Sequence, residues 1–260
     1  MIPKIIHYCW LSGEPFPEMI QQCIDSWKRY MPDYKFILWD TRQFDINSHL
    51  YVKQAFECKK YAFASDYIRL YALYHYGGIY LDTDILVYKS FDELLDCQGF
   101  TGFEVDHAIA AWIFASEKGN PLFKELLSYY DNKKFIFRDG SYDMTPNVVP
   151  VTDTLLRHGL KLGGEFQKLD NIVIYPRTFF CPHVPYGDHP DCFSENTYAQ
   201  HLFNAGWKDE AQKRIFGKKH YIEKKYGRIL GLIYYGAKVL QNEGIFSFMQ
   251  QWKVRMWGRK

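Results

Sequence analysis

The sequence predicts an α/β domain, a mostly parallel sheet with helices on both faces, followed by a basic helical extension. Three observations carry this. β-rich apolar runs alternate with stretches of helical period from Lys4 to Pro176. A long helix-compatible run is closed by Gly77-Gly78 directly ahead of an apolar run. The chain has 260 residues, 47% hydrophobic and 24% charged, enough to bury a substantial core.

Taken in order, KIIHYCW (Lys4 to Trp10) is short and β-rich and runs into Ser-Gly and Pro, so it reads as a first strand entering a loop. PEMIQQCIDSWKRYMP sets Met19, Cys23, Ile24 and Trp27 at helical spacing and is stopped by Pro32; YKFILWD is a second strand. Val52 to Tyr76 lacks Gly and Pro and is predicted as a helix, with IYLDTDILVY as the strand behind it. GFTGFE and HAIAAWIFAS are further strand material, Pro121 to Tyr130 is a helix, and NIVIYP is another strand. No internal repeat or low-complexity segment interrupts the series.

Composition narrows the classes. The aromatic share is 18%, with 21 Tyr and 7 Trp, so most rings belong to the core while some are available to stack on flat or ring-shaped ligands. Six cysteines without a C-x-x-C pair are expected as reduced thiols and give no zinc signature. The N-terminus lacks a secretory apolar region, and no stretch reaches the ~20 apolar residues of a membrane span, so a cytoplasmic location is expected. From Lys208 onward there are 13 Lys/Arg against 4 Asp/Glu, leaving 19 against 26 in residues 1–207. The body is acidic and the tail basic, so the two are expected to meet different partners. The tail also interleaves cations with Tyr, Phe and Trp at amphipathic spacing, which suits either an anionic membrane surface or a solvated helical cap. No nucleic-acid motif accompanies it.

A core has no use for adjacent acids, yet GGIYLDTDI ends an apolar run with Asp82 and Asp84. On a strand, i and i+2 share a face, so the two carboxylates point together and Thr83 points away. Such a pair of oxygen donors favours Mn²⁺ or Mg²⁺, whose other positions go to phosphate oxygens and water. The carboxyl end of a strand is where open α/β sheets bind ligands. A D-x-D triplet is also found in solvated turns. One helix ahead, Asp66 and Arg69 stand three apart, which by itself describes either a surface ion pair or part of the same site.

Three blocks, IPKIIHYCW, ASDYIRLYALYHYGGIYLDTD and YAQHLFNAGW, resemble in order and spacing the DXD-type glycosyltransferases that include relatives of the yeast initiating α-1,6-mannosyltransferase and bacterial capsular polysaccharide enzymes, distantly akin to the clostridial glucosylating toxins. The resemblance covers roughly residues 2 to 207. It implies a GT-A type sheet over 1–207, with 208–260 as the basic tail, and transfer of a hexose from a UDP- or GDP-linked sugar with retention of configuration. It implies that Asp84 ligates Mn²⁺ or Mg²⁺, that Asp82 touches metal, ribose or sugar, and that Asp66 accepts hydrogen bonds from donor-sugar hydroxyls. It pairs Arg69 with sugar or phosphate oxygens, stacks Trp10 near the base, and puts Tyr80 among the substrate-binding residues. His201 matches the family's late histidine, a metal ligand or diphosphate contact. Here Leu202 stands where relatives often have a second His and Gly206 where they have Ser. TPNVVPVTDTLL is similar to a family loop on the acceptor side, which makes Asn147 and Asp153 candidates.

The acceptor implied is a glycan or a lipid-linked oligosaccharide, in cell-surface or capsular polysaccharide synthesis at the inner face of the cell membrane. Three rivals are weighed against this reading, one of them a glycoside hydrolase, which needs two carboxylates about 5 to 10 Å apart across a sugar ring and accounts less well for the Gly-Gly-strand context. A Mg²⁺-dependent phosphatase-like hydrolase also carries D-x-D after a strand, but on the first strand of its chain. A nucleotide-sugar or glycan-binding module without turnover is the non-enzyme alternative.

Overall fold

The computed structural model describes residues 1–186, 189–204, 214–215, 218–219, 221–222, 225 and 232–241. The basic tail expected over 208–260 therefore lies largely outside the described residues, as do Gly206 and Trp207; within it, 232–241 are helical.

The strands are β1 (Ile5–Cys9), β2 (Lys35–Trp39), β3 (Gly78–Leu81), β4 (Ile85–Val87), β5 (Gly99–Val105), β6 (Ala108–Ile109), β7 (Ile113–Ser116), β8 (Gln167–Leu169), β9 (Ile172–Tyr175) and β10 (Ala199–His201). The helices are α1 (Glu18–Tyr30), α2 (Leu50–Glu57), α3 (Tyr61–Tyr76), α4 (Pro121–Ser128), α5 (Val148–Arg157) and α6 (Arg177–Phe180). The main sheet runs β2-β1-β3-β7-β5-β9-β8, with β6 beside β5. β1, β2, β3, β5 and β9 point one way, while β7, β8 and β6 are antiparallel to their neighbours. The sheet is thus mixed where the alternation of strands and helices predicts a mostly parallel one. β7 arrives from the β5–β6 hairpin and not through a helical crossover, and it slots between β3 and β5.

Helices on both faces are borne out. Residues alternate across each strand, Tyr80, Phe114 and Ile174 to one side, Ile79, Leu81, Ile113, Ala115 and Val173 to the other. α2, α3, α4 and α5 cover the first side, and α1 and α6 the second. All six cysteines are free thiols, as expected of them.

Three local predictions need correction. The run from Val52 to Tyr76 is two helices, because α2 ends in a Schellman motif: Lys59 takes φ 56°, its N–H reaches Phe56 O at 2.8 Å, and Lys60 N–H reaches Ala55 O at 2.8 Å. A lysine in the left-handed position leaves no glycine to flag the break. The segment HAIAAWIFAS is split into β6 and β7, and Thr101 Oγ1 bonds both ends of the break, Ala110 O at 3.0 Å and Ile113 O at 2.8 Å. Finally, Asp82 to Asp84 are a turn between β3 and β4, so the two carboxylates do not share a strand face.

The Gly77-Gly78 step is forced by space. A Cβ on Gly77 would sit 2.8 Å from Lys118 N, and one on Gly78, at φ +105°, would sit 2.7 Å from Ile5 O. This close approach brings Gly77 O to His7 Nε2 at 2.8 Å, while His7 Nδ1 accepts from Trp39 Nε1 at 3.0 Å. His7 is therefore a neutral Nε2–H tautomer, fully buried where β1, β2 and the start of β3 meet. Burial drives its pKa down to about 4. Because the unfolded chain binds the proton more tightly, the stability this histidine contributes is present above pH ~6.5 and is lost as pH falls toward 4, to the extent of about 3 kcal/mol. A His7→Gln variant should lose much of the pH dependence of Tm between pH 6.5 and 4, and differential scanning calorimetry across that range measures it; an unchanged slope would assign the acid sensitivity to other groups.

Candidate active site

The five co-directional strands end at one edge of the sheet, and the candidate residues gather there. α3 buries Asp66 and Arg69, 7% and 4% exposed, against it. Arg69 Nη2 lies 3.0 Å from Asp66 Oδ1 and 3.1 Å from Asp82 Oδ1, so one guanidinium holds both carboxylates. Nη1 donates to Ala111 O, Nη2 also to Ser65 Oγ at 3.3 Å, and Nε to Ser65 O at 3.4 Å. The guanidinium lies 4.8 Å over the ring of buried Tyr80. Asn147, the residue before α5, donates to Asp66 Oδ1 at 2.7 Å. The break at residues 110–112 supplies the Ala111 carbonyl, and its Trp112 carbonyl accepts Asp82 N–H at 2.9 Å.

Burial sets the charges. It pushes Asp66 up to about 7, with the Asp82 carboxylate adding to the rise and Arg69 opposing it. Asp82 is raised too, by burial and by the charge of Asp84, again against Arg69. Arg69 stays charged although buried, because Asp82 and Asp66 outweigh the desolvation.

Asp84 turns the other way, toward the two-stranded ribbon in which β10 pairs antiparallel with β4 and His201 stands opposite Ile85. Asp84 Oδ2 lies 3.2 Å from His201 Nε2 and accepts Asn204 N–H at 2.9 Å, while Asp84 O accepts Leu202 N–H at 3.0 Å. Burial raises the Asp84 pKa, but the His201 hydrogen bond and charge outweigh it and hold the carboxyl below its ordinary value. Burial lowers His201, and the Asp84 hydrogen bond and charge outweigh that and raise it. Wrapping the backbone around Asp84 requires Phe203 at φ 51°, a strained conformation for an aromatic residue.

The remaining candidates are more dispersed. Trp10 follows β1, packs on Phe16 at 5.1 Å and donates Nε1–H to Glu14 O at 2.7 Å. Asp153 lies on α5 and does not line the small cavity of about 10 Å³, room for one water, bounded by Asp66, Arg69, Tyr129, Tyr130 and Asn147 among others. Sequence reasoning missed Ser65, Ala111 and Asn204, which act through backbone atoms or a short hydroxyl and leave no compositional mark. It also missed Glu104, a lone carboxylate in an apolar strand.

Asp84 and His201 offer a carboxylate oxygen and an imidazole nitrogen converging on one point, a donor set compatible with a divalent cation that takes its other ligands from outside the protein. Among the described residues, no group of three or more His, Cys, Asp or Glu is placed to hold a metal. Asp82 is turned toward Arg69.

Acids and a histidine thus gather around a D-x-D turn at the carboxyl edge of an α/β sheet. Residues 17–101 match the family model described as the glycosyltransferase sugar-binding region containing DXD motif. The chain is similar to inositol phosphoceramide mannosyltransferase 3 of Schizosaccharomyces pombe, 29% identical over 133 residues, 48% of this chain and 36% of the relative. It is similar to a mannosyl phosphorylinositol ceramide synthase of Saccharomyces cerevisiae, 32% identical over 146 residues, 52% and 37% of the two chains. These matches span a little over a third of the relatives' length. To the initiation-specific alpha-1,6-mannosyltransferase of Candida albicans it is 23% identical over 284 residues, 82% of this chain and 74% of the relative. Among solved structures, PaToxG glycosyltransferase superposes with a TM-score of 0.45 at 24% identity, covering 60% of this chain and 69% of that one. Galactosyltransferase LgtC with donor and acceptor sugar analogs gives 0.43 at 12% identity, covering 90% and 95%.

Removing the guanidinium leaves two buried carboxylates without their counter-charge. Arg69→Ala is expected to lower the unfolding free energy by about 3–5 kcal/mol, read by urea denaturation at pH 7. Arg69→Lys should recover only part of it, since an ammonium lacks the fork that spans Asp66, Asp82 and Ala111 O. A loss under about 1 kcal/mol for the alanine variant would contradict a shared buried guanidinium.

Proposed function

We propose that the chain is a retaining, divalent-metal-dependent glycosyltransferase that moves a hexose from a UDP- or GDP-sugar to a glycan or lipid-linked acceptor. The observation that carries this reading is the convergence of Asp66, Asp82, Asp84 and His201 at the carboxyl edge of the sheet. Asp84 and His201 would hold Mn²⁺ or Mg²⁺. When bound, the cation supplies Lewis-acid neutralisation of the charge developing on the departing nucleotide.

The protein's own residues bind and orient. Asp66, fixed by Arg69 and Asn147, accepts from hydroxyls of the donor sugar. Arg69, its donors engaged by Asp66, Asp82, Ser65 and Ala111, acts chiefly by holding the two acids in place. Tyr80 supports it from below, Trp10 flanks the base, and Asn147 and Asp153 belong to the sugar and acceptor side. Proximity and orientation of this kind are worth several kcal/mol of barrier. The relatives reported above are named for mannosyl transfer, which makes mannose the first hexose to test. Two of them being named for inositol phosphoceramides also keeps a membrane-held acceptor in view, served by the basic residues beyond 207 at the cytoplasmic face. The hydrolase alternative is not favoured, because the leading acid, Asp82, is ion-paired to Arg69 at 3.1 Å, which weakens it as a nucleophile.

The test is release of free nucleotide from UDP- and GDP-hexoses with and without Mn²⁺, in the presence of candidate glycan acceptors. Release is expected to need the metal and to fall at least about a hundredfold in Asp84→Ala, measured on protein that circular dichroism shows to be folded. Wild-type turnover by Asp82→Asn/Asp84→Asn protein in EDTA would sink the reading.

A further inference from the structure

His201 is placed by an unusual route. Its Nδ1 is buried and has no hydrogen-bond partner among the described residues, so none of them fixes the ring by a second hydrogen bond. Two aromatic rings pack on it instead, Trp112 at 4.8 Å and Phe203 at 4.1 Å between ring centroids. Each is tied to the same carboxylate. Trp112 Nε1 donates to Glu104 Oε2 at 2.9 Å. Tyr186, whose hydroxyl donates to Glu104 Oε1, sits edge-on to Phe203 at 5.6 Å.

Glu104 lies where the β5–β6 register shifts between Phe103 and Val105, the kind of irregularity that re-aims a side chain. With both oxygens engaged, it is the common anchor of an aromatic box whose walls come from the break just before β7, the segment before residue 187, and the strained turn after β10.

We propose that Glu104 is a positioning residue for His201: by clasping Trp112 and Tyr186 it fixes the two walls that set the imidazole opposite Asp84. This rests on the reading of Asp84 and His201 as the cation's protein ligands for its consequence, but the box itself is a statement about ring geometry. A glutamine at this position accepts from only one of two donors and presents an amide N–H toward the other, so one wall is released. Supporting groups around a ligand typically alter metal affinity 10–100-fold.

The experiment has two readouts on the full chain. In protein labelled with ¹³C/¹⁵N-histidine and free of metal, the ring signal lost in His201→Gln identifies His201. That signal is expected upfield in the native protein and moved downfield in Glu104→Gln as ring-current shielding is lost. In parallel, Mn²⁺ alone is titrated by electron paramagnetic resonance. Asp84→Ala should abolish binding, Glu104→Gln should weaken it about tenfold, and the surface variant Glu125→Gln should match wild type.

A His201 signal unmoved in Glu104→Gln overturns the proposal whatever the metal does. Wild-type Mn²⁺ affinity in Asp84→Ala, or none in the native protein, overturns the metal reading and leaves the ring signal to decide on Glu104. Should Glu104→Gln fail to fold, Tyr186→Phe removes one donor while keeping the ring, and an unmoved His201 signal there overturns the proposal equally.

Discussion

One buried cation organises the carboxyl edge of this sheet. Arg69 reaches from α3 to Asp66 on its own helix, to Asp82 in the turn after β3, and to the Ala111 carbonyl ahead of β7. Taking a guanidinium out of water is costly, and it persists here because two carboxylates and two carbonyls replace the lost solvent. Three segments far apart in sequence are thereby held in register with one planar fork. Asp66 gains a second constraint from Asn147, so α5 is tied to the same point. Geometry at the carboxyl edge is thus fixed electrostatically, while apolar packing on the two faces of the sheet fixes the scaffold around it.

Much of this was legible in the sequence, for definite reasons. β1, α1, β2 and α4 follow from period and punctuation, and the Gly77-Gly78 step marks a place where no side chain fits. The grouping of Asp66, Arg69 and Asp82 was legible because i,i+3 spacing on α3 and its short link to β3 leave few ways to separate them. What was illegible has causes as plain. A lysine adopts the left-handed conformation that ends α2, so the usual glycine is missing. The β3 run was extended through the acids because Ile, Tyr, Leu and Val surround them, while the turn there depends on Asp82 N–H bonding Trp112 O, a partner thirty residues on. The antiparallel β7 depends on the Thr101 hydroxyl closing a break between Ala110 and Ile113, which no local pattern announces.

The two acids of the D-x-D turn therefore do different work. Asp82 faces the guanidinium and belongs to the rigid frame; Asp84 faces the ribbon, where an imidazole and a backbone N–H meet it. Their pKa values part accordingly, one raised and one lowered. A turn separates them better than a strand would, since i and i+2 on a strand would aim both at the same surroundings.

The β4–β10 ribbon has a consequence for how the molecule comes into being. Asp84 bonds Asn204, 120 residues later, and β4 has no partner in the main sheet. During synthesis the first strands, α3 and the Arg69 cluster can assemble as soon as β7 has emerged, but the histidine side of the site waits for another eighty or so residues. Joining ends that far apart costs chain entropy that only the finished ribbon offsets. A ribosome-bound chain that has reached α5 thus holds a nearly complete frame around Arg69, while the Asp84–His201 half of the site is among the last parts to form.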